Sequence, residues 1–177
     1  LYLFLDGARL GYGLAAPDND LTLPEIAALC DVFYIGGTKV GALFGEAVVI
    51  KNPELAQDFR YLIKQNGGML AKGRLLGLQF DALFTDGLYQ VISAHAIAMA
   101  EKLREAFTAK GYTYLAPNRT NQIFVIVPDA HLAKISEQFE YSYDQRIDAT
   151  HSCVRFCTGW ATKEENVAAL IRSVEKL

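Results

Sequence analysis

The sequence predicts an α/β fold in two layered parts joined through one long helix. Three observations carry that expectation. Short apolar runs closed by glycine alternate with helical stretches through the first half. Asp86 to about Lys110 forms one long amphipathic stretch. After Gly111 the pattern changes to short strands with two helices set among them. A domain boundary is expected near residue 100, inside the long helix, giving parts 1–100 and 101–177.

Taken in order, Leu1–Leu5 is a continuous apolar run ending in Asp6-Gly7, which predicts a buried strand and a turn. Gly11 to Asp20 is rich in Gly, Pro and Asp and is expected to be loop. Thr22-Leu-Pro24-Glu25 opens a short helix: Thr22 can cap, Pro24 suits the first turn, and Glu25 stands three residues after Thr22. Asp31–Ile35 is a second strand, closed by Gly36-Gly37, and Glu46–Ile50 a third. Pro53 starts a helix running towards Gln65, which Gly67-Gly68 breaks. Leu70–Leu83 is expected to be helical. The long helix follows from Asp86, with Val91, Ile92, Ala96, Ile97, Ala100, Leu103 and Phe107 as apolar positions and Gly111 as its stop. Beyond it, Tyr112–Leu115, Gln122–Val127, Tyr141–Gln145 and Cys153–Cys157 are strands, and Ala130–Phe139 and Lys163–Lys176 helices. The first part should hold a parallel or mixed sheet covered on both faces, the second a small α/β layer.

Composition narrows the function. The chain has 177 residues, 51% hydrophobic and 21% charged, which is globular composition. Its net charge of −3 argues against a nucleic-acid surface. No apolar run reaches the ~18 residues of a membrane span, and Ala42–Ile50 is cut by Glu46. Cys30, Cys153 and Cys157 are too few and odd for a disulfide framework. In one strand the last two would stand ~13 Å apart. Buried free thiols in a reducing compartment are expected, and no metal site. The chain starts inside an apolar run without an initiator Met, which suggests the C-terminal part of a longer protein.

In open α/β sheets ligands gather at the carboxyl ends of strands. Asp6 directly follows the first strand, and Lys39 follows the second after Gly-Gly-Thr, where backbone can approach a ligand closely. An acid and a lysine so placed support two readings: a surface ion pair worth ~0–1 kcal/mol, or a pyridoxal phosphate site. In the second, Lys39 holds the cofactor aldehyde and Asp6 pairs with the protonated pyridine nitrogen, so the ring can accept electrons.

The words around these residues sharpen the choice. Leu5-Asp6-Gly-Ala-Arg9-Leu10 and Tyr34-Ile-Gly-Gly-Thr-Lys39-Val-Gly-Ala-Leu-Phe-Gly-Glu46-Ala-Val48 resemble the low-specificity L-threonine aldolases of the β-eliminating lyase family, which are fold-type-I pyridoxal phosphate enzymes. The resemblance continues through Lys64-Gln65 and Ala71-Lys72 to Arg155-Phe-Cys-Thr-Gly-Trp-Ala-Thr162, nearly the whole chain. It implies the C-terminal part of a fold-type-I enzyme. Residues 1–100 would then be the C-terminal part of the cofactor-binding large domain, with part of the connecting helix, and 101–177 the small domain.

By the resemblance, Lys39 matches the Schiff-base lysine and Asp6 the partner of the pyridine nitrogen. Arg9 matches an arginine near the cofactor and substrate carboxylate. Arg155 matches a second carboxylate-binding arginine; its strand context turns it to the face opposite Val154 and Phe156. A guanidinium fork suits a carboxylate through two parallel hydrogen bonds, but an exposed strand arginine would follow the same pattern. Thr38 could contact the cofactor phosphate or cap the turn. Lys72 corresponds to a basic residue reaching the phosphate of a partner subunit, although its surroundings depart from the commoner Gly-Gly-Gly-Met-Arg pattern, and a solvated lysine fits as well. His95, His131 and His151 are not expected to be the catalytic base. The family's ring-stacking histidine and phosphate loop would lie before Leu1.

The expected activity is cleavage of L-threonine or L-allo-threonine to glycine and acetaldehyde by a cytoplasmic homodimer or homotetramer, with residues 1–177 inactive alone. The alternatives are another pyridoxal phosphate-dependent amino-acid lyase of the same fold, or a non-catalytic fragment or interaction module. The partner is a small amino acid, with neither nucleic acid nor membrane.

Overall fold

A computed structural model describes residues 1–177. The chain forms two compact units: Leu1–Leu14 with Asn19–Ile92, and Ala15–Asp18 with Ser93–Leu177.

The first unit is built on a mixed three-stranded sheet in the order β1 (Phe4–Leu5), β2 (Val32–Ile35), β3 (Ala47–Ile50). β1 and β2 are parallel, with Phe4 beside Val32 and Leu5 beside Phe33; β3 runs antiparallel to β2. The crossover between the parallel strands carries α1 (Leu10–Leu14) and α2 (Leu23–Leu29). The Glu25 carboxylate accepts from the Thr22 N–H (2.7 Å) and hydroxyl (2.6 Å), so the expected N-terminal box closes.

Several expectations are corrected. Leu1–Leu5 is not a buried strand: the strand spans only Phe4–Leu5, and Leu1 to Phe4 are exposed, because β1 is an edge strand here. The sheet is not covered on both faces. Phe33 and Ile35 point to the packed face, whereas Phe4 and Val48 stand exposed on the other. The supposed loop from Gly11 begins as helix α1. Its turn is closed by Leu10 N–H to Gly7 O and Gly13 N–H to Arg9 O, and burial of Leu10 and Tyr12 overrides the low helix propensity of its glycines.

The helix expected over Pro53–Gln65 is two, α3 (Pro53–Ala56) and α4 (Phe59–Gln65), interrupted at Asp58 in the left-handed region (φ 56°). α5 starts at Arg74, not Leu70, and ends at Phe84. A 3-10 turn, Thr85–Gly87, with Asp86 left-handed (φ 51°), delays the start of α6 to Leu88. α6 runs to Ala109, and its buried stripe includes Tyr89, Ser93, Ala96, Ile97, Ala100, Leu103 and Phe107, while Val91 is exposed. Gly111 (φ 82°) ends it as expected.

The second unit has an antiparallel sheet in the order β4 (Thr113–Tyr114), β5 (Gln122–Pro128), β7 (His151–Cys157), β6 (Ser142–Arg146). β5 alternates buried and half-buried residues along its length, a period of two. Ile123, Val125 and Val127, with Val154 and Phe156 of β7, form one side of the core. The other side comes from α6, α7 (Asp129–Ile135) and α8 (Glu164–Glu175), through residues such as Leu103, Phe107, Ile135 and Leu170. No disulfide joins the three cysteines, but Cys157, at the end of β7, is exposed rather than buried. No helix is long and apolar enough to cross a membrane.

Candidate active site

In the first unit the ends of β1 and β2 are locked together backbone to backbone. The Gly36 N–H donates to the Gly7 carbonyl at 2.9 Å. The approach is so close that a β-carbon on Gly7 would stand 1.7 Å from the Tyr34 carbonyl oxygen. One on Gly36 would stand 2.4 Å from the Ala8 carbonyl oxygen. Glycine is therefore required at both positions by space. The consequence is that Asp6, just before the first glycine, and Lys39, three residues after the second, emerge from one rigid corner of the sheet.

Two tyrosines staple that corner from behind. The buried Tyr89 hydroxyl accepts from the Gly11 N–H (3.1 Å) and donates to the Gly36 carbonyl (3.0 Å). Burial pushes its phenol up to about 12. The Tyr12 hydroxyl donates to the Lys39 carbonyl. Glu46, at the entry to β3, accepts from the Gly37 N–H and from the Thr38 hydroxyl (3.2 Å). Thr38 thus anchors its own loop to Glu46.

Asp6 is exposed, and its Oδ1 accepts from the Tyr34 hydroxyl and from the Ala8 N–H (3.1 Å). Its carboxyl is held below the ordinary aspartate value, chiefly by the Tyr34 hydroxyl, then by the Ala8 N–H, with the charges of Lys39 and Arg9 adding to the effect. The same bond pushes the Tyr34 phenol up. Asp6 Oδ2 accepts no hydrogen bond within the chain. Lys39 is exposed and Arg9 half-buried, and neither forms a salt bridge. The surface ion pair between Asp6 and Lys39 is therefore not formed.

Lys72 is exposed in the turn before α5 rather than on a helix. A cavity of about 590 Å³ in this unit is lined by Glu46, Arg60 and Arg74 among others, but not by Lys72.

Arg155 belongs to the second unit, on β7, half-buried on the sheet face opposite the core. Its guanidinium donates to Gln122 Oε1 (3.3 Å) and Ser142 Oγ (3.5 Å), and its Nε is buried without a partner. It lines a cavity of about 380 Å³ with Ser142, Cys157, Thr162 and Asn166. The histidines are otherwise engaged: His95 with the Thr162 carbonyl (2.7 Å), His131 with the Tyr112 hydroxyl (2.7 Å), and His151 with Asp148 (3.1 Å).

Tyr34, Tyr12, Tyr89 and Glu46 were not visible as site residues in the sequence. Tyr34 could have been found: continuing the parallel register of Phe4 with Val32 and Leu5 with Phe33 by one rung sets Asp6 beside Tyr34. Tyr89 carries no such signal, because it comes from a helix more than fifty residues downstream of Gly36.

The chain is 32% identical to the low specificity L-threonine aldolase of a Pseudomonas species, and the match covers 98% of this chain and 51% of the relative. It is 28% identical to the enzyme of the same name from Pseudomonas aeruginosa, over 98% of this chain and 50% of the relative. Among solved structures, threonine aldolase from Leishmania major superposes with a TM-score of 0.97 at 41% identity, over 99% of this chain and 52% of that one. Serine palmitoyltransferase from Sphingomonas wittichii, at 16% identity and a TM-score of 0.67, shares the fold. The chain thus spans about half the length of the relatives it matches. No protein-family model matches it. The α/β fold is that of the C-terminal part of the fold-type-I architecture, as the sequence led us to expect.

Proposed function

We propose that this chain is the C-terminal part of a pyridoxal phosphate-dependent threonine aldolase. Its substrate would be L-threonine or L-allo-threonine, cleaved to glycine and acetaldehyde. The observation that carries the proposal is the pairing of Asp6 and Lys39 on one glycine-locked corner, with an ionised carboxylate whose Oδ2 is free and a lysine in no salt bridge. The sequence likeness to threonine aldolases runs along the whole chain and supports the reading.

The residues present fit the cofactor. When bound, pyridoxal phosphate supplies a ring that accepts the electron pair of a breaking substrate bond. Lys39 would hold it covalently, and Asp6 Oδ2 would accept a charge-assisted hydrogen bond from the protonated ring nitrogen. Arg9 would contribute positive charge beside Asp6 and stand near the substrate carboxylate. Arg155 would bind the amino-acid carboxylate, and its unpartnered Nε supports that role, since a buried donor without an acceptor is costly. A carboxylate held by a planar fork has its Cα oriented, and such positioning supplies several kcal/mol of barrier lowering. Thr38 and Lys72 would approach the phosphate, Thr38 by releasing Glu46, and Lys72 that of a partner subunit. The assembly would be a cytoplasmic homodimer or homotetramer. Tyr61, Leu62, Leu75 and Leu78, apolar and exposed on α4 and α5, support self-association. Residues 1–177, which span about half the length of the relatives, would be inactive alone.

The test uses the natural-length protein loaded with pyridoxal phosphate and reduced with borohydride. Peptide mass analysis should find the pyridoxyl group on Lys39, and Lys39→Ala should lose both the adduct and acetaldehyde release from threonine. An adduct on another lysine, or undiminished cleavage by Lys39→Ala, would sink the assignment.

A further inference from the structure

We propose that Tyr34 is a positioning residue that acts through Asp6: its hydroxyl occupies Oδ1, so that Oδ2 is the oxygen presented to the ring nitrogen of the cofactor. The inference rests on the cofactor reading above and deepens it. Two donors, the Tyr34 hydroxyl and the Ala8 N–H, converge on Oδ1, and Oδ2 takes none. A carboxylate tied at one oxygen by two donors cannot rotate freely about its Cβ–Cγ bond, so the direction of its second oxygen is fixed. Tyr34 is itself fixed by the sheet. It lies on the central strand, paired with Val48 of β3, and its ring packs on Phe4 with centroids 6.2 Å apart. The hydroxyl sits beside Asp6 because β1 and β2 are parallel and in register, and the Gly7–Gly36 contact keeps them so.

The electrostatic consequence has a definite sign. A donor on Oδ1 stabilises the charged form of Asp6, as the lowered carboxyl and raised phenol both reflect. Without it, Asp6 becomes a stronger base and competes more effectively for the proton it shares with the ring nitrogen. Tyr34 therefore favours the protonated ring, the form that accepts electrons, without touching substrate.

The test compares natural-length wild type with Tyr34→Phe, which keeps the ring and its contact with Phe4. Both are loaded with pyridoxal phosphate carrying nitrogen-15 in the ring. In wild type the ring nitrogen should resonate at the protonated position. In Tyr34→Phe the signal should move toward the unprotonated pyridine position, and the cofactor dissociation constant should rise roughly three- to tenfold. An unmoved nitrogen signal in Tyr34→Phe, with wild type loaded and protonated, overturns the proposal alone. Wild type that takes up no cofactor overturns the cofactor reading and this proposal with it. Should Tyr34→Phe not fold, carbon-13 titration of the Asp6 carboxyl in wild type, assigned with Asp6→Asn, decides. A midpoint below 3.8 supports the proposal and one at or above it overturns it.

Discussion

Removing a single oxygen, by Tyr89→Phe, should loosen the corner that carries Asp6 and Lys39. Tyr89 is 2% exposed, and its hydroxyl joins the Gly11 N–H to the Gly36 carbonyl. Phenylalanine fills the same space apart from that oxygen, so cavity formation adds little. What is lost is two hydrogen bonds, worth about 0.5–1.5 kcal/mol each, with a buried donor and acceptor left to find new partners. The expected destabilisation is about 2–4 kcal/mol. With a mid-range urea slope of about 2 kcal/mol/M, the midpoint should fall by roughly 1–2 M at unchanged slope. Alkali gives a second readout. The phenol is raised from 10 to about 12 in the folded protein, so the unfolded chain loses its proton first. The contribution of Tyr89 is therefore full below pH 10 and falls away as pH rises from 10 to about 12. Tyr89→Phe should lack that component. A variant whose urea midpoint matches wild type, and whose alkaline loss is undiminished, would refute the idea that this hydroxyl braces the corner.

Two further substitutions probe the same architecture. Gly7→Ala places a carbon 1.7 Å from the Tyr34 carbonyl oxygen. The turn must then part from β2 and give up the 2.9 Å bond that the Gly7 carbonyl accepts from the Gly36 N–H. A loss of at least about 2–3 kcal/mol in denaturation, together with weak cofactor uptake, is expected, and wild-type values for both would count against the glycine lock. Arg155→Ala should leave the fold intact and raise the glycine or threonine concentration needed for saturation by roughly ten- to a hundredfold. Arg155→Lys should recover only part of it, having charge without the fork; unchanged saturation in both variants would make Arg155 structural.

Much of this chain is legible residue by residue because local chemistry settles it. The box of Thr22 and Glu25 starts α2, Gly111 stops α6, and the two-residue period over Gln122–Pro128 reads as a strand with one buried face. Asp6 and Lys39 stand out because each follows a short apolar run with glycines beside it. The rest depended on distant partners. Whether Leu1–Leu5 is buried depends on what lies beside an edge strand, and whether Gly11 begins a loop or a helix depends on the burial of Tyr12. The break at Asp58 requires a left-handed backbone that no local signal announces.

The sequence by itself determined the α/β class and which acid and lysine to watch, since apolar periodicity and turn residues act over a few positions. Only the tertiary structure decided how they are held. The hydroxyls of Tyr12, Tyr34 and Tyr89 reach groups 27, 28 and 53 to 78 residues away along the chain. The near-contact of Gly7 with Tyr34 exists only once two parallel strands pair in one register. Hydrogen bonds and close packing are set by distance in space, which a one-dimensional pattern does not contain until the sheet has brought its ends together.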